Sequence, residues 1–226
     1  MESVRELKVI CKPKIPPTNL ISRIYYRPVS YYLTWVLLKL NLSANQVSVL
    51  GLLIGLFAGL LMLSPKTILF SGFFVLLSLT CDACDGEVAR YRLYKKLPTE
   101  HFRKFGGFFD WLANIVIPFS MLMLGLYFSI QFSSALFLFM GILLCIFVFL
   151  NKGGLSLLSS IVSFPGETKK RIRHPIVANL RGYYSRVFPF LLITFTILSY
   201  IFPLSLFFFW LFYGLFGVFL LLWRFF

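Results

Sequence analysis

Six long apolar segments occupy most of this chain and limit what it can fold into. They lie at roughly 46–64, 67–90, 106–130, 133–151, 186–203 and 205–224. A helix needs about 20 apolar residues to cross the hydrocarbon core of a bilayer, where it satisfies its own backbone hydrogen bonds. Because 59% of the residues are hydrophobic, a soluble domain could not bury this much apolar surface. We therefore predict an all-α integral membrane protein with six transmembrane helices.

The residues before the first apolar segment have a different composition. Residues 1–17 are polar and basic and include three prolines, so we expect an irregular segment. Residues 18–43 mix Tyr, Trp, Arg and Leu in a broken helical pattern, as in a helix that lies in the membrane interface. We divide the chain into a cytosolic arm with an interfacial amphipathic helix, residues 1–44, and a six-helix transmembrane domain, residues 45–226.

The charged residues are distributed unevenly along the chain. The formal net charge is +14, with 22 Lys and Arg. Six crossings place almost all of these residues on one side of the membrane and leave Lys66 on the other. Lys and Arg collect on the cytosolic side of membrane proteins and attract anionic lipid headgroups. We expect a multi-pass protein of a prokaryotic cytoplasmic membrane, with both termini cytosolic, an anionic bilayer as partner and no bound nucleic acid.

The last two apolar segments are rich in Phe, and we expect them to face lipid and neighbouring helices. Trp210 and Trp223 lie near the two ends of the final segment. Because tryptophans are enriched at membrane–water interfaces, both are expected to be interface anchors.

Cys81 and Cys84 form a C-x-x-C pair, a spacing found in redox and zinc sites. The sequence offers no second cysteine pair and no nearby histidine to complete such a site. We expect these cysteines, together with Cys11 and Cys145, to be reduced and to act mainly as apolar side chains.

The chain contains only three aspartates, and all of them lie in or at the ends of apolar segments: Asp82, Asp85 and Asp110. A carboxylate at membrane depth costs about 2.5–3.5 kcal/mol, so each of these residues needs a partner or a task. A salt bridge to Arg90 at the interface would account for one aspartate but not for three.

Helical periodicity places the aspartates on two stripes. The first stripe holds two carboxylates and two small residues, Asp82, Asp85, Gly86 and Ala89. The second stripe recurs every four residues, at Gly106, Asp110 and Asn114. If the two helices pack antiparallel, these stripes can face each other near the cytosolic surface. Carboxylate and amide oxygens, completed by substrate phosphates, suit one or two Mg²⁺ or Mn²⁺ ions.

The same residues carry a family signature. The segment from Asp82 to Arg90 reads D-x-x-D-G-x-x-A-R and is followed by Gly106-x-x-x-Asp110. This pattern resembles the signature of the CDP-alcohol phosphatidyltransferases, with seven of its eight fixed positions present. Arg27-Pro28 and the segment 43–48 also look like the region before the first helix in that family.

The resemblance implies a function and a set of roles. The family transfers a phosphoalcohol group from a CDP-alcohol donor to a hydroxyl acceptor and releases CMP, in phospholipid or related envelope biosynthesis. Its members are homodimers with six spans. Carried over, the metal ligands are Asp82, Asp85, Asp110 and Asn114. The substrate-binding residues are Gly86, Ala89, Arg90 and Gly106 and, less closely matched, Asn45 and Ser48.

Two features depart from the family pattern. The spacer between Arg90 and Gly106 holds fifteen residues, where about eight are usual, and a longer cytosolic loop would absorb the difference. The last aspartate of the signature, the favoured general base, is Asn114 here. An amide can ligate a metal but cannot accept a proton at neutral pH. Glu87, His101 and a metal-bound hydroxide remain as alternative bases. Because its spacing places Glu87 off the aspartate stripe, the preferred interpretation of Glu87 is a partner for a basic residue of the cytosolic loop.

A basic run lies between the fourth and fifth apolar segments, at Lys169, Lys170, Arg171 and Arg173. It is interpreted first as a topology determinant that contacts anionic headgroups. The alternative is an anion pocket that selects a phosphorylated acceptor, as similar regions do in some members of the family.

Three other classes of protein share some of these features. A polyprenyl transferase would also combine aspartates, metal and diphosphate, but it needs two aspartate-rich motifs with other spacings. A transporter would need polar groups across the whole membrane, and these acids are confined to one end. A non-catalytic homologue that binds a CDP-alcohol or a lipid without turnover is the main alternative, because of Asn114.

Overall fold

The computed structural model describes residues 3–12, 20–97, 112, 114–150 and 175–222, with side chains omitted for 175–183, 185, 221 and 222. These residues form eight α-helices and no strand, which confirms the all-α prediction for the described chain. The helices are α1 Val4–Ile10, α2 Arg27–Lys39, α3 Ala44–Leu61, α4 Ile68–Tyr94, α5 Val116–Gln131, α6 Ala135–Phe149, α7 Pro175–Ser199 and α8 Ser205–Leu222. A π-helical turn, Ser22–Tyr26, leads directly into α2.

Local sequence signals set the start of two helices. Ser43 caps α3, and Gln46 bonds back to the Ser43 backbone, which completes a capping box. The same arrangement joins Ser3 and Glu6 at the start of α1. The expectation of an irregular segment over 1–17 is therefore wrong for α1, because the capping box and the burial of Leu7 stabilise a short helix there.

Two helices within the described residues, α3 and α4, are long and apolar enough to cross a membrane. Shorter apolar helical stretches occur at Val116–Gln131, Ala135–Phe149, Arg186–Ser199 and Ser205–Leu220. Each of the six predicted apolar segments therefore overlaps an apolar helix. That all six cross the bilayer stays a prediction.

The six apolar helices close into a bundle. Helices that are consecutive in the chain pack as the pairs α3–α4, α5–α6 and α7–α8. Contacts of α3 with α5, of α6 with α8 and of α4 with α7 join these pairs into a ring. The centre is filled by fully buried side chains, among them Ile117, Met121, Phe188, Leu192 and Trp210.

Trp210 lies in the bundle core and not at an interface. Its side chain is fully buried, and its indole Nε1 donates to the Met121 carbonyl over 3.1 Å. The expectation of an interface anchor is therefore wrong for Trp210, because the helix begins at Ser205 and turns this side chain toward α5. Trp223 lies outside the described residues.

Tyrosine hydroxyls join the interior of α7 to its neighbours. Tyr184 of α7 and Tyr213 of α8 stack, and each hydroxyl donates to the other residue's backbone carbonyl. Pro189 lies inside α7, five residues after Tyr184. The two bonds therefore hold this part of α7 to α8 one turn before the proline.

The helix that precedes the bundle is amphipathic. One side of α2 is buried against α4 and contains Ser30, Thr34 and Leu37. Between residues 20 and 40, in α2 and the residues on either side of it, apolar side chains are exposed at Leu20, Ile24, Tyr32, Val36 and Leu40. This pattern is typical of a helix at a membrane surface, and its location there remains a prediction.

Candidate functional site

The signature residues Asp82 to Arg90 lie in the last turns of α4, which continues to Tyr94. Helix α4 contacts α3 on one side and α7 on another. It also contacts α1 and α2, which together with the π-helical turn we call the N-terminal arm (residues 3–12 and 20–39). The candidate site is therefore surrounded by three different parts of the chain.

Asp85 faces α3. The Ser48 hydroxyl donates to Asp85 Oδ2 over 2.6 Å, a short bond typical of a charged acceptor. Ser48 is buried, whereas Asp85 is partly exposed. Ser48, carried over from the family as a nucleotide contact, thus lies beside one of the predicted metal ligands and orients it. Asn45, one turn earlier, is partly exposed at the start of α3.

Asp82 faces α7 and pairs with an arginine. Arg186 Nη2 lies 3.2 Å from Asp82 Oδ2, and both side chains are about one-quarter exposed. Arg186 Nη1 also donates to the Leu79 carbonyl over 3.1 Å. Arg186 lies 104 residues from Asp82, and the one sign of this pair in the sequence is a basic residue at the start of an apolar segment.

The same arginine is held by the N-terminal arm. The Arg186 guanidinium lies over the Tyr26 ring, 4.8 Å from its centroid. The Tyr26 hydroxyl donates to the Arg186 backbone carbonyl over 3.2 Å. A cation above an aromatic face is attracted by the ring quadrupole, so Tyr26 fixes both the side chain and the backbone of Arg186.

Arg90 turns toward the arm. Its Nε donates to the Cys11 carbonyl over 2.8 Å, and its Nη1 lies 3.4 Å from where a Cβ on Gly86 would stand. Within the described residues, Arg90 Nη2 is buried and has no hydrogen-bond partner. Gly86 therefore leaves the room that the guanidinium occupies. Ala89 is exposed and small, as the close-approach interpretation requires.

Glu87 is fully buried on the side of α4 that faces the arm. Arg27 Nη1 lies 3.0 Å from its Oε1, to which the Ser30 hydroxyl donates over 2.7 Å. The Thr34 hydroxyl donates to Oε2 over 2.8 Å. Sequence reasoning proposed a basic partner in the cytosolic loop, whereas the partner is Arg27 of the arm. The signal it missed is the polar stripe Arg27, Ser30 and Thr34 on one face of α2.

The described residues also fix how α5 lies beside the site. A Cβ on Gly55 would meet the Val116 side chain, and one on Gly59 would meet Phe119. Helices α3 and α5 therefore run in the same direction. Asn114, the second residue before α5, is partly buried.

Several predicted site residues lie outside the described residues: Gly106, Asp110, Lys169, Lys170, Arg171 and Arg173. The same applies to His101. The structure thus brings Asp82 and Asp85 to one end of α4, and the convergence of Asp110 on them stays a prediction.

The described donor set is compatible with a shared divalent ion. In the described part of the chain no group of three or more His, Cys, Asp or Glu side chains is arranged to hold a metal. Mg²⁺, however, is usually bound by one or two carboxylates together with substrate phosphates. Asp82 and Asp85, one helical turn apart and both partly exposed, fit such a shared site.

The four cysteines are free thiols, as predicted. Cys81 and Cys84 are buried in α4, where Cys84 packs among Leu37, Val47 and Val88. The C-x-x-C spacing therefore reflects helix packing in this chain.

Comparison with models of known protein families gave no match, and a search of curated proteins also gave none. The family resemblance consequently depends on the signature residues themselves and on where the structure places them.

Proposed function

We propose that this protein transfers a substituted phosphate group from a CDP-alcohol to a hydroxyl acceptor and releases CMP. The observation that carries the proposal is the placement of Asp82 and Asp85. They lie in the signature spacing at one end of an apolar helix, both partly exposed. Carboxylates at membrane depth are rare and are most often functional.

The chain's own residues supply binding and orientation. Ser48 holds Asp85 from α3, and Arg186 holds Asp82 from α7. Ala89, which is small and exposed, leaves space beside the carboxylates for the nucleotide, and Gly86 leaves room for the Arg90 guanidinium next to it. Mg²⁺ or Mn²⁺, when bound, would supply Lewis-acid polarisation and neutralise the donor diphosphate.

Asp110 is proposed as the third carboxylate of this site, with Gly106 beside the substrate and Asn114 as an additional ligand. Val116, at the start of α5, packs on Gly55 of α3, and the two helices run in the same direction. The chain therefore enters α5 from the end of the bundle at which α3 begins and Ser48 lies, which supports the proposal.

The remaining parts of the proposal concern the membrane. We propose six crossings with both termini and the site on the cytosolic side, and a homodimeric assembly, as in the family. The basic run at Lys169, Lys170, Arg171 and Arg173 contacts anionic headgroups. Selection of a phosphorylated acceptor by the same run is its alternative role.

The test is CMP release by the detergent-purified protein from a panel of CDP-alcohols and hydroxyl acceptors, with Mg²⁺ or Mn²⁺. Asp85→Asn and Asp110→Asn are each expected to lower kcat by at least about 100-fold, because charge stabilisation at the phosphate is lost. Glu6→Gln is the matched control, because it also removes one acidic charge. Glu6 is exposed on α1, and a glutamine at this position can form the same capping-box bond. Normal turnover in either aspartate variant would refute the proposed site.

A second candidate function follows from Asn114, which replaces the family's proton acceptor. A homologue without turnover would bind a CDP-alcohol or a lipid and release no CMP. Calorimetric binding of a CDP-alcohol without CMP release, and without isotope exchange between CMP and the donor, would favour this candidate.

A further inference from the structure

Glu87 has no role in the proposed reaction, yet its carboxylate accepts from three side chains. Its side chain is fully buried, and it accepts bonds from Arg27, Ser30 and Thr34. All three donors belong to the N-terminal arm, 53 to 60 residues away in sequence. A buried carboxylate is strongly destabilising without such partners. The arm therefore cannot leave α4 without exposing or abandoning this charge.

Further bonds extend the contact to the start of the arm. The Cys11 thiol donates to the Glu87 carbonyl over 3.4 Å, and Arg90 donates back to the Cys11 carbonyl. Helix α1 thus ends directly over the Glu87 backbone. Both α1 and α2 therefore bind α4 at Glu87.

The arm contacts α7 at the adjacent residue. Arg27 binds Glu87 of α4, whereas Tyr26 binds Arg186 of α7 through its ring and its hydroxyl. Arg186 in turn pairs with Asp82 of α4. Tyr26 and Arg27 are consecutive in the arm. Together they join α7 to α4, the helix that carries Asp82 and Asp85.

We propose that the N-terminal arm clamps α4 to α7 across the site, with Glu87 as its anchor. Glu87 is then a positioning residue, which acts through Arg27 and Tyr26 to keep Arg186 on Asp82. The clamp follows from the contacts alone, and only its effect on turnover rests on the proposed function.

Cys11 provides a direct readout of the clamp. Its side chain is fully buried between the arm and α4. Burial, together with the nearby Glu87 carboxylate, raises the pKa of the thiol to about 11. Alkylation by N-ethylmaleimide near neutral pH therefore requires release of the arm. Mass spectrometry of the purified full-length protein measures the rate at Cys11 separately from the other three cysteines.

Glu87→Ala is expected to accelerate Cys11 alkylation by at least about tenfold, because Arg27 and both hydroxyls lose their acceptor. Glu87→Gln should stay within about threefold of wild type, since its amide oxygen still accepts from Ser30 or Thr34. Thr34→Val, which keeps the side-chain shape, should give about a threefold increase from one lost hydrogen bond. This mild variant decides the question even if Glu87→Ala does not fold.

Arg186→Ala distinguishes a clamp from simple packing on α4. Arg186 binds the arm through Tyr26, so about a threefold acceleration is expected from losing that contact. Ser71→Ala is the control: Ser71 is a fully buried residue of α4 far from the arm, and its hydroxyl has no hydrogen-bond partner in the described structure. A wild-type alkylation rate in Thr34→Val, and in Glu87→Ala where that variant folds, would overturn the anchor. A wild-type rate in Arg186→Ala would overturn the clamp.

Turnover tests the positioning role. Glu87→Ala is expected to lower kcat for CMP release about tenfold and to leave KM for the CDP-alcohol within about twofold, with activity restored in Glu87→Gln. An unchanged kcat in a variant whose Cys11 reacts rapidly would overturn positioning. Absence of CMP release in the wild type would instead refute the proposed function, and the alkylation rates would still decide the clamp.

Discussion

Asp82 and Asp85 lie one helical turn apart, yet each is held by a different neighbour. Ser48 donates to Asp85, and Arg186 forms an ion pair with Asp82. The guanidinium brings a positive charge to Asp82, whereas the Ser48 hydroxyl is a neutral donor that orients Asp85. The two carboxylates are therefore held in different ways, one by α7 and the other by α3.

Asn114 defines a prediction at the scale of one residue. If a carboxylate at this position accepts the proton of the acceptor hydroxyl, Asn114→Asp should raise kcat for CMP release by about 10-fold or more, as expected for general-base catalysis. The measurement is metal-dependent turnover in detergent, with Asn41→Asp, at an exposed position between α2 and α3, as the matched control for added charge. An unchanged kcat would assign the base to another group, and complete loss of activity would show that the amide itself is needed.

Sequence reasoning predicted the aspartate pair because helical spacing alone places residues 82 and 85 on adjacent turns. It could not predict that Arg186 binds Asp82 or that Arg27 binds Glu87, because both pairs depend on how distant helices pack. Sequence reasoning considered Glu87 as an alternative base and as an acid with a basic partner. That this partner is Arg27 depends on how the arm folds against α4.

At the scale of helices, close packing of α3 depends on residues without side chains. A Cβ on Gly51 would lie 2.9 Å from Cys81 Cβ of α4. A Cβ on Gly55 would lie 2.7 Å from Val116 Cγ1 of α5 and 2.8 Å from Ser78 Oγ of α4. The Ser78 hydroxyl also donates to the Gly51 carbonyl over 2.7 Å. Small residues of this kind allow helix backbones to approach within a membrane.

Gly55→Leu is therefore expected to destabilise the bundle by about 1–3 kcal/mol, as overpacking of a tight core does. Leu is a better helix former than Gly, so a loss would come from packing and not from helix propensity. The measurement is the melting temperature in detergent. Leu53→Ala, on the exposed side of the same helix, is the control and should change it little. An unaltered melting temperature for Gly55→Leu would contradict the packing described here.

The helices themselves were largely predictable, since each of the six apolar segments overlaps one. Helix α3 begins at Ala44, two residues before the predicted segment, at the Ser43–Gln46 capping box that the sequence analysis did not use. Helix α1 was missed because it has only seven residues, three of them charged, and is stabilised by the burial of Leu7 and Cys11 against the rest of the protein. Tertiary contact, and not periodicity, determines such a short helix.

For the whole molecule, the charge distribution predicts which way the bundle faces. Lys66 and Lys95 are exposed at opposite ends of α4. In a chain whose native cysteines are replaced, Lys66→Cys should react with a membrane-impermeant maleimide added outside intact cells, and Lys95→Cys should react only after lysis. Labelling of both from outside would mean that α4 does not cross. The reverse pattern would invert the proposed orientation.

Helix α7 carries Pro189 three residues after Arg186. Proline has no N–H to offer the carbonyl four residues earlier, so that turn lacks one backbone hydrogen bond. Beyond the proline, Ile193 fits into the space above Gly72, which holds the far half of the helix to α4. A swing of the near half would lift Arg186 from Asp82, and it is opposed both by the hold of Tyr26 on Arg186 and by the stacked tyrosine pair that joins α7 to α8.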